Sequence, residues 1–218
     1  MDRLSRLMAL DVTRLELGQI RTNCYLVRNP GSGEAVVVDP GAGAAEIRLE
    51  LAQLGAECVA ILITHGHWDH LGGVADLAEG TGAPVYMAKD ERAMLENLPD
   101  LVPQGVIARS YTADTFLQGD ETLELAGIEF ETLRVPGHSP GHLAYHADGC
   151  LFSGDVLFQN SVGRTDLPGA DWETLVESIR ILSERFPPET IVYSGHGPPT
   201  TLGEELERNP FLAPLRAS

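Results

Sequence analysis

One short loop places four potential metal ligands within six residues: His65-Gly66-His67-Trp68-Asp69-His70. It directly follows a continuous apolar run, residues 58–63, which is typical of a strand buried on both faces. Imidazole nitrogens with a carboxylate suit zinc, iron or manganese, whereas calcium would need more oxygen ligands. One metal cannot take all four ligands with good tetrahedral angles in so tight a loop, but two metals can share them. We therefore expect a two-metal site on a strand-to-helix loop, with zinc favoured and iron or manganese as alternatives.

Three more residues extend this ligand set: His138, Asp155 and His196. Each follows a strand-like run, directly or after one to three Gly, Pro, Ser or Thr residues. Loops at strand ends are where layered α/β folds present functional groups, so we expect the seven side chains to converge. If Asp155 bridges, each metal receives three protein ligands of its own, and a shared position is open to water. The alternative for Asp155 is a helix cap. His142 is a candidate for an outer contact to a ligand, and we expect His146 at the surface.

Such a site predicts hydrolysis. Two metals about 3.5–4 Å apart would lower the pKa of a shared water to about 7 and hold it against a carbonyl. They would also stabilise the developing oxyanion, so no protein nucleophile is needed. We assign catalytic roles to Asp69 and Asp155 in addition to metal binding.

The remaining pattern predicts a single domain over residues 1–218, with two blocks of strands that are each interleaved with helices. Such faces are buried in a layered α/β or α+β sandwich. Turn residues at Gly55 and Gly127, and an N-cap at Asp171, mark element boundaries. The predicted strands cover residues 15–17, 24–27, 35–38, 58–63, 84–87, 122–125, 128–133, 150–152 and 191–193. The predicted helices run from about 47 to 54, 71 to 78, 90 to 98 and from 171 onward.

The net charge, the cysteines and the N-terminal sequence limit the expected binding partners and cellular location. The net charge of −17 disfavours nucleic acid and anionic membranes, although acidity can also serve solubility alone. The three cysteines form no C-x-x-C pair, and we expect buried thiols rather than disulfides. Residues 1–10 lack the apolar stretch of a secretory signal, and no window reaches the length of a membrane span. We expect a cytoplasmic protein with a small-molecule substrate, and the sequence gives no oligomeric state.

At these residues the chain resembles the metallo-β-lactamase superfamily, in particular its short glyoxalase II-like branch. The resemblance implies a four-layer αββα sandwich with a dinuclear site at one edge. It assigns His65, His67 and His138 to the first metal, Asp69, His70 and His196 to the second, and Asp155 to the bridge. The motifs that carry it are Thr64-His65-x-His67-x-Asp69-His70-x-Gly72-Gly73, Pro136-Gly137-His138-Ser139-Pro140-Gly141-His142, Ser153-Gly154-Asp155, Ser194-Gly195-His196-Gly197, Thr22-Asn23-Cys24-Tyr25 and Val38-Asp39-Pro40-Gly41.

The same resemblance suggests a substrate. Glyoxalase II hydrolyses S-D-lactoylglutathione to D-lactate and glutathione, and Arg164 lies where that family places a basic substrate contact. The alternative is that Arg164 only pairs with Asp166 in a turn. Long glyoxalase II enzymes carry a helical domain after the last histidine, whereas 22 residues follow His196 here. A broader thioester or ester substrate is therefore an alternative to glutathione thioesters.

Other activities of the same fold are disfavoured. A persulfide dioxygenase would hold one iron through His65, His138 and Asp155, but that family usually lacks a histidine at the position of His142. The common β-lactamase subclass carries Cys where Asp155 stands and is exported. A nuclease conflicts with the acidic surface, and a non-catalytic module should have lost ligands.

Overall fold

The computed structural model describes residues 10–216, so residues 1–9, most of the segment used against a secretory signal, lie outside the described part. The first of its two large sheets has six strands in sequential order. Its first three strands are antiparallel, and its third to sixth are mutually parallel. The strands are β1 (Asp11–Leu17), β2 (Thr22–Arg28), β3 (Glu34–Val38), β4 (Glu57–Leu62), β5 (Val85–Ala88) and β6 (Thr115–Leu117).

The second sheet also has six strands, in the order β14-β13-β10-β9-β8-β7. Within this sheet β10 and β13 run parallel, and all other neighbouring strands run antiparallel. A separate two-stranded ribbon is formed by β11 (Leu157–Phe158) and β12 (Ser161–Val162). The strands of the second sheet are β7 (Thr122–Leu125), β8 (Ile128–Arg134), β9 (Leu143–Ala147), β10 (Cys150–Gly154), β13 (Ile191–Ser194) and β14 (Thr200–Thr201).

Helices cover the outer faces of both sheets. Short 3₁₀ segments also occur at Lys89–Glu91 and Pro210–Arg216. No helix among residues 10–216 is both long and apolar enough to cross a membrane. The α-helices are α1 (Ala44–Leu54), α2 (Trp68–Leu71), α3 (Val74–Thr81), α4 (Arg92–Glu96), α5 (Leu98–Leu101), α6 (Trp172–Arg185) and α7 (Leu202–Arg208).

Three apolar clusters separate four layers. One packs α1 and α3 on the first sheet, a second lies between the sheets, and a third packs α6 and α7 on the second sheet. Strand β4 contributes to two of them, because Ile61 faces the helices while Leu62 faces the other sheet. This alternation explains its unbroken apolar sequence. The predicted αββα sandwich is therefore confirmed.

The predicted ends of helices and strands were accurate where a single residue determines the local backbone conformation. Gly55 ends α1 in the left-handed conformation at φ 61°, where a side chain would be strained. Asp171 caps α6, accepting a hydrogen bond from the Thr174 backbone N–H at 2.8 Å. The strands β7 and β8 meet at Gly127, as predicted. The three cysteines are buried and free.

The prediction of one helix over residues 90–98 was wrong. The segment begins as a 3₁₀ turn, continues as α4, and breaks at Asn97 before the separate short helix α5. Pro99 lies in the first turn of α5, where its missing N–H costs nothing, but it cannot continue a preceding helix. The short strands β6, β9, β11, β12 and β14 were not predicted, since their two to five residues carry little periodic signal.

A carboxylate organises the connection from β6 to β7. Glu121 accepts hydrogen bonds from the backbone N–H groups of Gln118 at 2.6 Å and Gly119 at 2.9 Å, and from the Thr132 hydroxyl at 2.8 Å. Partial burial alone would raise the pKa of Glu121, but these hydrogen bonds lower it from the ordinary 4.5 to about 2.

This capped carboxylate predicts a pH-dependent contribution to stability. Because the folded-state pKa lies below the unfolded value, the stabilisation is present above pH 4.5 and is lost as pH falls towards 2. We expect Glu121→Gln to lower the free energy of unfolding by about 1 kcal/mol at pH 7. The deficit should shrink at pH 3, measured by urea unfolding of chelator-treated protein, with the exposed Glu124→Gln as control. An equal deficit at both pH values would contradict the assignment.

Candidate metal centre

The seven predicted ligands lie together at one edge of the sandwich, where strands of both sheets end. The loop after β4 supplies His65 and leads through His67 into α2, which carries Asp69 and His70. The loop after β8 supplies His138, and the ends of β10 and β13 supply Asp155 and His196. Positions 131 residues apart therefore meet in one pocket.

Three histidine nitrogens converge on one side of this pocket. The Nε2 atom of His65 lies 3.0 Å from Nδ1 of His67, and that Nδ1 lies 2.9 Å from Nε2 of His138. Their ligand atoms all fall within 4.8 Å of one another. The trio is the one that the resemblance assigns to a first metal.

A second trio lies beside the first. The Oδ2 atom of Asp69 is 3.4 Å from Nε2 of His70 and 3.3 Å from Nε2 of His196. These three ligand atoms also lie within 4.8 Å of one another. The trio is the one that the resemblance assigns to a second metal.

Asp155 lies between the two trios. Its Oδ1 is 3.4 Å from Nε2 of His70, and its Oδ2 is 3.6 Å from Nε2 of both His138 and His196. Gly195 permits this approach, because a Cβ there would lie 2.0 Å from Asp155 Oδ1. The carboxylate thus reaches histidines of both groups, as a bridging ligand must.

Outward hydrogen bonds select which imidazole nitrogen faces the pocket. Nδ1 of His70 donates to Asp39 Oδ2 at 2.8 Å, and Nδ1 of His138 donates to the Arg164 backbone carbonyl at 2.8 Å. Nδ1 of His65 lies 3.0 Å from the Thr64 hydroxyl, which in turn donates to Asp39 Oδ2 at 2.7 Å. With each proton held outside, the Nε2 lone pairs of these rings face the pocket.

Burial and neighbouring charges shift the pKa values of these groups, downward for His65 and His67 and upward for His70. Burial lowers the pKa of His67 to about 4 and also lowers that of His65. Burial would likewise lower the pKa of His70, but Asp39, Asp69 and Asp155 outweigh it and raise that pKa. Burial opposes ionisation of the carboxyl groups, yet the adjacent histidines lower the pKa of Asp69 to about 2 and hold that of Asp155 low. The carboxylates are therefore ionised at neutral pH.

The donor set fits divalent metal ions. His70 Nε2 and Asp155 Oδ1 are buried atoms without a hydrogen-bond partner, although such atoms ordinarily have one. Both belong to the converging ligands, where a cation would satisfy them. Neutral imidazoles with carboxylates are donors that zinc and iron both accept.

One supporting residue, Asp39, was not identified from the sequence, whereas His142 was already a candidate for an outer contact to a ligand. Asp39 follows β3 as Asp155 follows β10, so the same strand-end signal could have identified it. His142 is fully buried, stacks on His65 with ring centroids 4.6 Å apart, and accepts the Asp155 backbone N–H at 3.1 Å through Nε2. His142 therefore contacts a predicted ligand through the backbone of that ligand. His146 is half-buried and stacks on Phe186, rather than lying free at the surface.

Glu91 ties together the two histidine loops. This buried carboxylate accepts the Gly66 backbone N–H at 3.1 Å and the Gly141 backbone N–H at 2.7 Å. Gly66 lies between His65 and His67, and Gly141 follows His138 by three positions. One side chain therefore fixes the spacing of the first trio.

We expect Glu91→Gln to lower the free energy of unfolding by about 2 kcal/mol, because an amide must point its NH₂ at one of two buried N–H donors. Chemical denaturation measures the loss, and the exposed Glu46→Gln on α1 is the control. Equal stability of the two variants would contradict the clamp.

A cleft of about 520 Å³ opens over the metal centre. His67, His138, Asp155 and His196 form part of its lining, together with Arg164. The Arg164 side chain is exposed and pairs with both oxygens of Asp166 at 2.9 Å. Its backbone carbonyl holds His138, a contact that the sequence did not reveal. Arg164 thus satisfies the turn-pairing alternative while also lining the cleft.

Comparison with known families places these motifs in a wider group. The family described as the metallo-beta-lactamase superfamily matches residues 17–196. A probable metallo-hydrolase, YqgX of Bacillus subtilis, is 36% identical over 91% of this chain and 96% of its own length. The hydroxyacylglutathione hydrolase GloC of Haemophilus influenzae is 34% identical over 93% of this chain and 98% of its own length.

Two solved structures are also similar to this chain. The BLEG-1 B3 metallo-beta-lactamase is 40% identical with a TM-score of 0.87, covering 93% of this chain and 100% of that one. The di-iron-bound form of TTHA1623 is 38% identical with a TM-score of 0.79, covering 92% of this chain and 100% of that one. Both similarities extend over nearly the whole chain.

Proposed function

Because the chain belongs to the metallo-β-lactamase superfamily, we propose that it is a dinuclear metallo-hydrolase of thioesters or esters, with S-D-lactoylglutathione as the first compound to test. The observation that carries this proposal is the position of Asp155 between two trios of ligands. The similarity to the hydroxyacylglutathione hydrolase GloC supports the choice of substrate.

In this proposal, His65, His67 and His138 would hold one divalent ion, and Asp69, His70 and His196 would hold the other. Asp155 lies within reach of histidines from both trios. The ions, when bound, supply the Lewis acidity that acidifies a water and polarises the scissile carbonyl. Zinc is the first choice for both sites, and iron is the alternative that the similarity to di-iron TTHA1623 supports.

The protein's own groups orient and protect this chemistry. Asp39, Thr64 and the Arg164 carbonyl hold the outward imidazole protons, so the ligand nitrogens face inward without reorganisation. Thr22 donates its hydroxyl to Asp69 Oδ2 at 2.7 Å and orients that carboxylate.

The cysteine thiols are poorly suited to act as the nucleophile in this hydrolysis. Burial raises the pKa of Cys58 and Cys150 to about 11, and that of Cys24 rises as well. Thiolates would be scarce at neutral pH.

The test is hydrolysis of a thioester panel led by S-D-lactoylglutathione, beside elemental analysis of the same untreated protein. We expect turnover proportional to metal content, lost on chelation and restored by zinc or iron. Protein carrying two metals per chain that hydrolyses no thioester or ester would contradict the proposal. One iron per chain with oxygen uptake on glutathione persulfide would identify the dioxygenase alternative.

A β-lactam ring is the second candidate substrate. The 40% identity to the BLEG-1 B3 metallo-beta-lactamase supports it, although the common lactamase subclass carries Cys in place of Asp155. A chromogenic cephalosporin added to the panel separates the two: hydrolysis faster than that of every thioester would favour the lactam.

A further inference from the structure

We propose that the substrate carries an apolar group that packs against one wall of the cleft, a proposal that rests on the hydrolytic function above. The wall is made of large apolar side chains that face the cleft next to the metal ligands. They are Ile20, Trp68, Met94, Leu101, Phe158 and Leu167.

Two of these side chains are unusually exposed. Ile20 is 50% exposed and Leu101 is 42% exposed, in a protein that buries most of its large apolar residues. Scattered exposed apolar residues are ordinary, but a contiguous group beside a functional site indicates a binding surface. Trp68 and Leu101 come from α2 and α5, and Ile20 from the turn between β1 and β2, so separate elements contribute to the same wall. An apolar substituent would cover it and release water.

The charges around the cleft disfavour a substrate recognised mainly through carboxylates. Arg164, the basic side chain in its lining, is already paired with both oxygens of Asp166. Beyond Ile20, Arg14 and Arg21 both pair with Glu16, and Arg14 also donates to the Gly197 carbonyl at 2.6 Å. Glutathione brings two carboxylates, and these arginines could bind them only by leaving their present partners. An apolar group meets no such cost.

Three thioesters test this assignment on the metal-loaded enzyme: S-hexanoyl-N-acetylcysteamine, S-acetyl-N-acetylcysteamine and S-D-lactoylglutathione. The first two share a leaving group and similar carbonyl reactivity. We expect kcat/KM for the hexanoyl compound to exceed that for the acetyl compound by at least about tenfold, the range of one well-buried methylene or more. Equal values, or a preference for S-D-lactoylglutathione, would overturn the apolar assignment while leaving thioester hydrolysis intact. If the metal-loaded enzyme hydrolyses none of the three, thioester hydrolysis is rejected and this proposal with it.

Matched variants locate the effect on the wall. Leu101→Glu should lower kcat/KM for the hexanoyl compound about tenfold, through KM, and should lower that for the acetyl compound much less. Leu49→Glu makes the same change on α1, where Leu49 is 62% exposed and outside the cleft, and should alter neither. A second pair of single variants repeats the comparison without added charge. Ile20→Asn changes the wall, and Ile107→Asn, at a position that is 93% exposed, is its control. Equal losses in wall and control variants, or loss of both substrates alike, would overturn the assignment.

Discussion

Replacement of Asp155 by alanine is expected to lower kcat/KM by at least about 10³-fold, or about 4 kcal/mol of transition-state stabilisation. The carboxylate lies within 3.6 Å of histidine nitrogens from both trios, so its loss would remove the ligand that we propose to be common to both. Metal content should fall in parallel. The fold should persist, because Asp155 lies at a strand end and outside the three apolar clusters.

The control is Asp76→Ala, which removes an exposed carboxylate paired with Arg109 on the surface. It should leave turnover and metal content unchanged. Steady-state kinetics and elemental analysis on both variants separate the outcomes. Full activity of Asp155→Ala with two metals bound would refute the bridging role.

Replacement of Asp39 by asparagine should weaken metal binding by the second trio about 10–100-fold. Asp39 Oδ2 accepts from His70 Nδ1 and the Thr64 hydroxyl, while Oδ1 accepts the Thr64 backbone N–H at 2.8 Å. Asparagine has one acceptor oxygen. If its NH₂ faces His70, the imidazole proton must move to Nε2, where it blocks metal binding. If its NH₂ faces the Thr64 backbone, two buried donors oppose each other.

The backbone should tolerate this change, because Asp39 has φ 50° and asparagine adopts the left-handed region readily. Asp148→Asn is a matched control: it has φ 44° and lies in the exposed turn between β9 and β10, at the end of β10 opposite Asp155. Zinc titration should show one tight and one weakened site for Asp39→Asn and two tight sites for Asp148→Asn. Two undiminished sites in both variants would contradict the tautomer argument.

Features of this protein were predictable from the sequence where the interacting residues lie close together along the chain. The loop from His65 to His70 carries four ligands in six residues, so its chemistry can be read locally. The layered fold was predictable because β4 must be buried on both faces. His138, Asp155 and His196 could be grouped only by assuming that strand ends share an edge, and the structure brings them together as that assumption requires.

Other features depend on tertiary contacts that no local pattern encodes. Glu91 is one acidic residue in a charged segment, and its role exists only because Gly66 and Gly141 come within reach. Arg164 was considered for its guanidinium, whereas its backbone carbonyl makes the contact to His138. Backbone contacts of this kind do not depend on the side chain, so the residue type does not reveal them.

The most direct test of the two-metal centre is anomalous diffraction at the zinc and iron edges, on crystals of protein purified without chelator. We predict two peaks, one against His65, His67 and His138 and the other against Asp69, His70 and His196, with Asp155 contacting both. A single peak, or ligand side chains that point away from one another around an empty pocket in metal-supplemented crystals, would contradict the account.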